Sequence, residues 1–324
     1  MHSQPSNLSR RQFGGIAVAT AALSSLLPSR ASGEESKNAI QAPKGMLQTQ
    51  WGDYTITSLL DGVIPMKREL FSGRDKEVDS ILEQIGQSGG TLPSPISAFL
   101  LTSAKHNILI DSGFGALDMF GPGFGNVLNG LYAAGLTPEK IDKVIITHAH
   151  PDHIGGMLSK DGNVVFPNAE LIIAEKEAQF WNSKAMMEKA PDSAKGVFQL
   201  AQKVLGTYKN QMNQVASGKE VAPGIQLDLS PGHTPGHSIL TIDGGDKPLK
   251  MIADTLHNCE LHTALPDIAF AFDLDPKQAV AARIKLFDQL SADKALVLGS
   301  HVHFPGYGRI LKVNNAYRFI TATI

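Results

Sequence analysis

The chain has 324 residues, a formal net charge of −2 and 42% hydrophobic residues, with 31 Gly and 18 Pro. That length carries one large α/β domain or two small ones, and the near-balanced charge excludes a global field for nucleic acid. The lone cysteine, Cys259, excludes an intramolecular disulfide and says nothing about compartment.

The first thirty residues have the layout of an export signal. Ser9-Arg10-Arg11-Gln12-Phe13 precedes an uncharged run at 14–27, and Ser29-Arg30-Ala31 is a small-x-small site. The paired arginines point to the twin-arginine route. Residues 1–31 are read as that signal, and the destination as periplasmic or secreted. The run is too short for a stable membrane span, and no cysteine follows it to take a lipid, so no stable membrane anchor is expected. Residues 32–49 are polar and read as a linker. Residues 50–324 read as one folded domain.

Residues 51–60 alternate like a strand and end at a turn signal, Asp61-Gly62. Residues 67–90 mix loop with a helix around 78–85. Residues 96–102 and 107–110 read as a hairpin ending at Asp111-Ser112-Gly113. Asp111 is placed there to accept backbone N–H groups or to hold a neighbouring histidine. Residues 121–125 are glycine-rich but lack the spacing and lysine of a phosphate loop. A helix at 126–134 closes at Gly135, and Thr137-Pro138 starts a short one.

Residues 144–146, Val-Ile-Ile, read as a buried strand. They run into Thr147-His148-Ala149-His150-Pro151-Asp152-His153-Ile154-Gly155-Gly156. Three imidazoles and a carboxylate thus fall within six positions at a strand end, where a scaffold can fix them. His148 and His150 lean toward one point. Pro151 bends the path so that Asp152 and His153 face a second. Burying four such groups unpaired is costly, and one ion could not easily take all four, so the spacing points to two metal ions.

Strands are expected at 164–166, 169–174 and 225–229, and helices at 175–187 and 194–208. Ser230-Pro231-Gly232-His233-Thr234-Pro235-Gly236-His237 again sets a histidine at a strand end. His233 is the further ligand, and His237 is read as packing or hydrogen-bonding nearby. Strands at 249–253 and 294–298 end at Asp254 and at Gly299-Ser300-His301. One device therefore recurs at His148, His233, Asp254 and His301. Asp275-Pro276-Lys277-Gln278 is a capped helix start that continues to 290, and a strand at 317–323 closes the chain. Trp51 and Phe71 are candidates for either a homodimer surface or the core.

These motifs together resemble the metallo-β-lactamase superfamily from residue 51 to the C-terminus. The resemblance implies an α/β, four-layer αβ/βα sandwich, two mixed sheets flanked by helices, with a binuclear metal site at one edge. By position, His148, His150 and His233 would hold the first metal; Asp152, His153 and His301 would hold the second; Asp254 would bridge them. The ligand types suit two Zn2+ ions, and Mn, Fe or Co are compatible with them. Two such ions share a water and lower its pKa, giving a bridging hydroxide, with Asp152 and Asp254 as the catalytic carboxylates.

Phe120-Gly121-Pro122, Phe180-Trp181, Lys195-Gly196-Val197-Phe198 and Ser300-His301-Val302-His303-Phe304-Pro305-Gly306 resemble the methyl parathion hydrolase-like exported metallohydrolases. This implies a pocket for a small neutral ester walled by Phe120, Trp181 and Phe198. His257 stands where quorum-signal lactonases carry a tyrosine. With Cys259, His262, Phe270 and Phe272 it is expected along the pocket. The implied reaction is hydrolysis of an organophosphate triester, an aryl ester or a lactone. The alternatives are an iron-dependent persulfide dioxygenase-type or a glyoxalase II-type thioesterase member of the same superfamily.

Overall fold

A computed structural model describes residues 47–87, 90–245 and 248–322. The expected export signal and the linker up to residue 46 lie outside the described residues. In chain order the strands are β1 (Leu47–Trp51), β2 (Tyr54–Lys67), β3 (Phe71–Ser72), β4 (Thr91–Thr102), β5 (Asn107–Ile110), β6 (Lys143–Ile146), β7 (Glu170–Ala174) and β8 (Met212–Val215). They continue with β9 (Lys219–Ala222), β10 (Ile225–Leu229), β11 (Ser238–Ile242), β12 (Leu249–Met251), β13 (Ala269–Phe270), β14 (Leu296–Leu298), β15 (Tyr307–Val313) and β16 (Ala316–Thr321). The helices are α1 (Asp75–Gln84), α2 (Val127–Ala133), α3 (Pro151–Ile154), α4 (Glu175–Asn182), α5 (Lys184–Lys189), α6 (Asp192–Thr207), α7 (Cys259–Ala264) and α8 (Pro276–Asp293).

Two seven-stranded sheets dominate, ordered β1-β2-β4-β5-β6-β7-β8 and β16-β15-β14-β12-β11-β10-β9. Both are mixed: β5 to β8 pair in parallel in the first, and β12 pairs in parallel with β14 in the second. The layering follows from the two-residue period of a strand. In β6, Val144 and Ile146 pack under the helices with Trp181, Phe198 and Leu205. Ile145 between them points the other way and meets Leu240, Met251 and Leu298 of the second sheet. Beyond that sheet, Val297 and Ile310 pack on Leu286, Phe287 and Leu290 of α8. The result is helices, sheet, sheet and helices. Each fully buried Leu or Ile contributes roughly 1.5–3 kcal/mol, so β6 is a firm anchor for the loop that follows it.

At the strand ends that carry the histidines, main-chain bonds join the two sheets. Ser238 N donates to Thr147 O at 3.0 Å, and Ser97 N donates to Ser300 O at 3.0 Å.

Some expected elements differ. Residues 47–49, read as linker, are already strand β1, paired with β2. Asp61-Gly62 is a bulge inside β2, not a turn. The Asp61 carboxylate is buried and accepts from Phe114 N and Val127 N, and a Cβ on Gly62 would lie 2.4 Å from the Phe124 ring. These two residues serve close packing of the loop after β5. Residues 164–166 form only an isolated bridge, Leu158 to Val164. Phe71 is fully buried against Phe270 and His262, so it belongs to the core. No helix among the described residues is long and apolar enough to cross a membrane.

Candidate metal centre

The floor of the site is built from loops at the ends of β6, β12 and β14 and the loop between β10 and β11. His148 and His150 leave β6, and Pro151 opens α3, which carries Asp152 and His153. His148 Nε2 lies 3.2 Å from His150 Nδ1, which lies 2.9 Å from His233 Nε2. Asp254 sits between this trio and the remaining residues. Its Oδ1 is 3.1 Å from His153 Nε2, and its Oδ2 is 3.2 Å from His301 Nε2, 3.4 Å from His233 Nε2 and 3.6 Å from His148 Nε2. Asp152 Oδ2 approaches His301 Nε2 at 3.4 Å and His153 Nε2 at 3.5 Å. The structure therefore brings all seven expected ligands together, as a His148–His150–His233 group and an Asp152–His153–Asp254–His301 group.

Acceptors behind the rings fix which nitrogen faces the centre. His153 Nδ1 donates to Asp111 Oδ2 at 2.8 Å, His233 Nδ1 to Asp273 Oδ1 at 2.9 Å, and His301 Nδ1 to Pro95 O at 2.8 Å. With Nδ1 carrying the proton, each Nε2 turns a lone pair inward. Asp111 also accepts from Thr147 N, so one carboxylate braces both ends of the histidine loop. His237 packs behind the centre. Its Nδ1 donates to Ser230 O and its Nε2 accepts from Asp254 N at 3.1 Å, which holds the peptide of the central carboxylate.

This arrangement fits cations. His153 Nε2 and Asp254 Oδ1 are buried and lack a hydrogen-bond partner among the described residues. Without a cation between them, inward lone pairs and the carboxylates of Asp152 and Asp254 are a costly set. The electrostatics of the bare protein show the same tension. Burial alone would raise Asp152 and Asp254, yet the neighbouring imidazoles hold both well below the carboxylate range. Burial lowers His233 and His301, but Asp254 and its neighbours push them up to about 9 and about 10.

The Metallo-beta-lactamase superfamily profile matches residues 91–301. The chain belongs to that superfamily. An N-acyl homoserine lactonase of Bacillus thuringiensis is 27% identical over 237 residues, covering 66% of this chain and 83% of the relative. Two solved structures superpose with a TM-score of 0.80, each covering 86% of this chain and 98% of its own. One is AbOPH, a hydrolase of the beta-lactamase superfamily, 32% identical; the other is AidC, a dizinc quorum-quenching lactonase in complex with a product, N-hexanoyl-L-homoserine, 28% identical. The protein is a metal-dependent hydrolase of this superfamily, and its His/Asp clusters fit a binuclear divalent metal site.

A cavity opens over the metallohydrolase centre. His150, Asp152, His233, Asp254, His257 and His301 form its floor. Ile64, Met66, Leu70, Phe114, Met119, Phe120, Trp181, Val197 and Phe272 form its wall. Phe120 and Trp181, expected as pocket walls, line this cavity. Phe198 does not line the cavity. It is fully buried behind Trp181, ring centroids 4.6 Å apart, and Val197, one helical step earlier, faces the cavity instead.

His257 lines the floor with Nε2 at 3.1 Å from Asp254 Oδ2 and its ring stacked on Phe270 at 3.8 Å. Burial pushes that imidazole down to about 3, so it is neutral. His262 is buried and accepts from His257 N, and Cys259 packs against α8 and its neighbours; neither reaches the cavity. Sequence reasoning missed Asp273, Glu177 and the wall residues of β2. A carboxylate inside the apolar run Ala269-Phe270-Ala271-Phe272-Asp273 is the signal that points to Asp273.

Proposed function

We propose that this metallohydrolase cleaves small uncharged esters, with lactones and aryl esters ahead of phosphotriesters. The carrying observation is the cavity: an apolar wall stands directly above the polar floor, and no Lys or Arg lines it among the described residues. An uncharged substrate needs such walls, whereas an anionic one needs cations to offset its desolvation. A glutathione thioester or a penicillin carries carboxylates for which the described wall offers no cationic side chain. The lactonase relatives add support, since an N-acyl lactone is neutral and carries an apolar chain.

His148, His150 and His233 would hold one divalent ion, Asp152, His153 and His301 the other, and Asp254 both. Bound there, the pair would polarise the scissile carbonyl or phosphoryl oxygen and lower the pKa of a shared water. The protein's own groups do the rest. Asp111, Asp273 and Pro95 O keep the imidazoles in the coordinating tautomer. Asp152, 14% exposed against 3% for Asp254, reaches the cavity and is the carboxylate placed to take the proton of the attacking water. The wall orients the ester over the floor and excludes bulk water.

The test is a substrate panel with the zinc-loaded chain: an acyl-homoserine lactone, an aryl acetate, a paraoxon-type triester, a penicillin and a glutathione thioester. Turnover of the neutral three above the anionic two is expected. Preference for the penicillin or the thioester would overturn the reading.

A further inference from the structure

We propose that Glu177 is a positioning residue that locks His150 and Trp181 into one unit, so that filling of the first metal position and the shape of the substrate wall change together. The proposal rests on the metal-dependent reading of the site but not on which ester is cleaved.

Glu177 is wholly buried in the first turn of α4. Four neutral donors converge on its carboxylate. Oε1 accepts from Ala149 N at 2.9 Å and Trp181 Nε1 at 2.7 Å; Oε2 accepts from Thr234 Oγ1 at 2.6 Å and Gly236 N at 2.9 Å. Burial raises its pKa, and these donors oppose the rise by favouring the ionised form. The donors come from three parts of the site. Ala149 separates His148 from His150, Thr234 follows His233, and Trp181 is wall. A Cβ on Gly236 would lie 2.2 Å from Glu177 N, so the second histidine loop rests directly on the start of α4, and only glycine permits it.

His150 is the ligand that depends on this carboxylate. The rings of His153, His233 and His301 are each fixed by an acceptor on Nδ1. His150 instead turns Nδ1 into the centre, toward His148 and His233. Its backbone follows the Ala149 N–H that Glu177 holds, and its ring meets Trp181 edge-on, centroids 5.7 Å apart. Both of those supports end on Glu177 Oε1.

Glu177→Gln keeps the shape but supplies one acceptor and one donor. The Thr234 hydroxyl can turn round to accept, whereas the N–H groups of Ala149, Trp181 and Gly236 cannot. The Gln oxygen therefore stays with Ala149 and Trp181 and only the Gly236 side opens, whereas Glu177→Met removes every acceptor and frees both supports of His150. The experiment uses the full zinc-loaded chain in a Trp51→Phe background, where Trp181 is the sole tryptophan. Chelator competition reads the release of each ion, and the indole N–H proton resonance reads Trp181 with and without metal.

In the parent, metal loading should shift the indole resonance. In Glu177→Met, one ion should leave at roughly tenfold or more lower chelator, the scale typical of a lost orienting partner. The other ion should be held as before, and the indole should no longer respond to loading. Thr234→Val, which removes a single donor and loosens the carboxylate, should show the same split at smaller amplitude and serves where Glu177→Met does not fold. Release of both ions unchanged, equal weakening of both, or a parent indole indifferent to metal would overturn the proposal. A parent that takes up no ions overturns the metal reading as well.

Discussion

The floor and the wall of the cavity are built by different physics. On and beneath the floor, His153, His233 and His301 are each held by a directional bond at 2.8–2.9 Å to a buried acceptor. The wall residues Ile64, Met66, Leu70, Phe114 and Phe120 are placed by packing alone, within one apolar cluster. The contrast teaches that chemistry here is specified by hydrogen-bond geometry, and substrate choice by volume. A change on the floor should therefore cost metal and rate, and a change in the wall should cost affinity.

The hardest break of that contrast is Asp254→Asn. Asp254 contacts members of both ligand groups, so kcat/KM should fall by more than the roughly 10–100-fold expected for a residue that only orients a ligand. Metal analysis should show fewer than two ions per chain. Asp111→Asn and Asp273→Asn come next. Each removes the charge behind one imidazole and should weaken metal binding by about 10–100-fold, read by chelator competition.

Met66→Ala tests the other half. KM for an ester with an apolar chain should rise by up to about tenfold, kcat should hold, and both ions should remain. Loss of metal in that variant would erase the distinction between floor and wall.

The gentlest test is pH. In the metal-free chain the carboxylates of Asp254, Asp273 and Asp152 push His233 and His301 up to about 9 and about 10, above the ordinary imidazole. A raised folded-state pKa contributes stability that is complete below about 6.5 and is lost as pH rises through the folded values. Melting temperature of the chelated protein should thus fall between pH 7 and pH 10. The loaded protein, whose ligands are already deprotonated, should fall less.

Much of the floor was legible because ligands must be polar groups at strand ends, and a strand end shows in sequence as an apolar run followed by Gly, Pro or His. Residues 144–156 and 230–237 carry that signature locally. The roles of Asp273 and Glu177 were not legible, because what matters is which loop their carboxylates meet, and those partners lie 40 and 57 residues away for His233 and Thr234. The wall was only partly legible. Ile64 and Met66 sit beyond the bulge at Asp61-Gly62, and reading that pair as a turn ended the strand before it reached the cavity. Phe198 was misplaced by one helical step, since spacing in sequence does not say which side of α6 faces the substrate.

The bonds from Ser238 to Thr147 and from Ser97 to Ser300 tie one sheet to the other beside the histidines. Neither half owns a finished binding site: His148 to His153 come with the first sheet, His233, Asp254 and His301 with the second. A full ligand set therefore exists only once the halves have docked, so zinc uptake during refolding should not precede that docking.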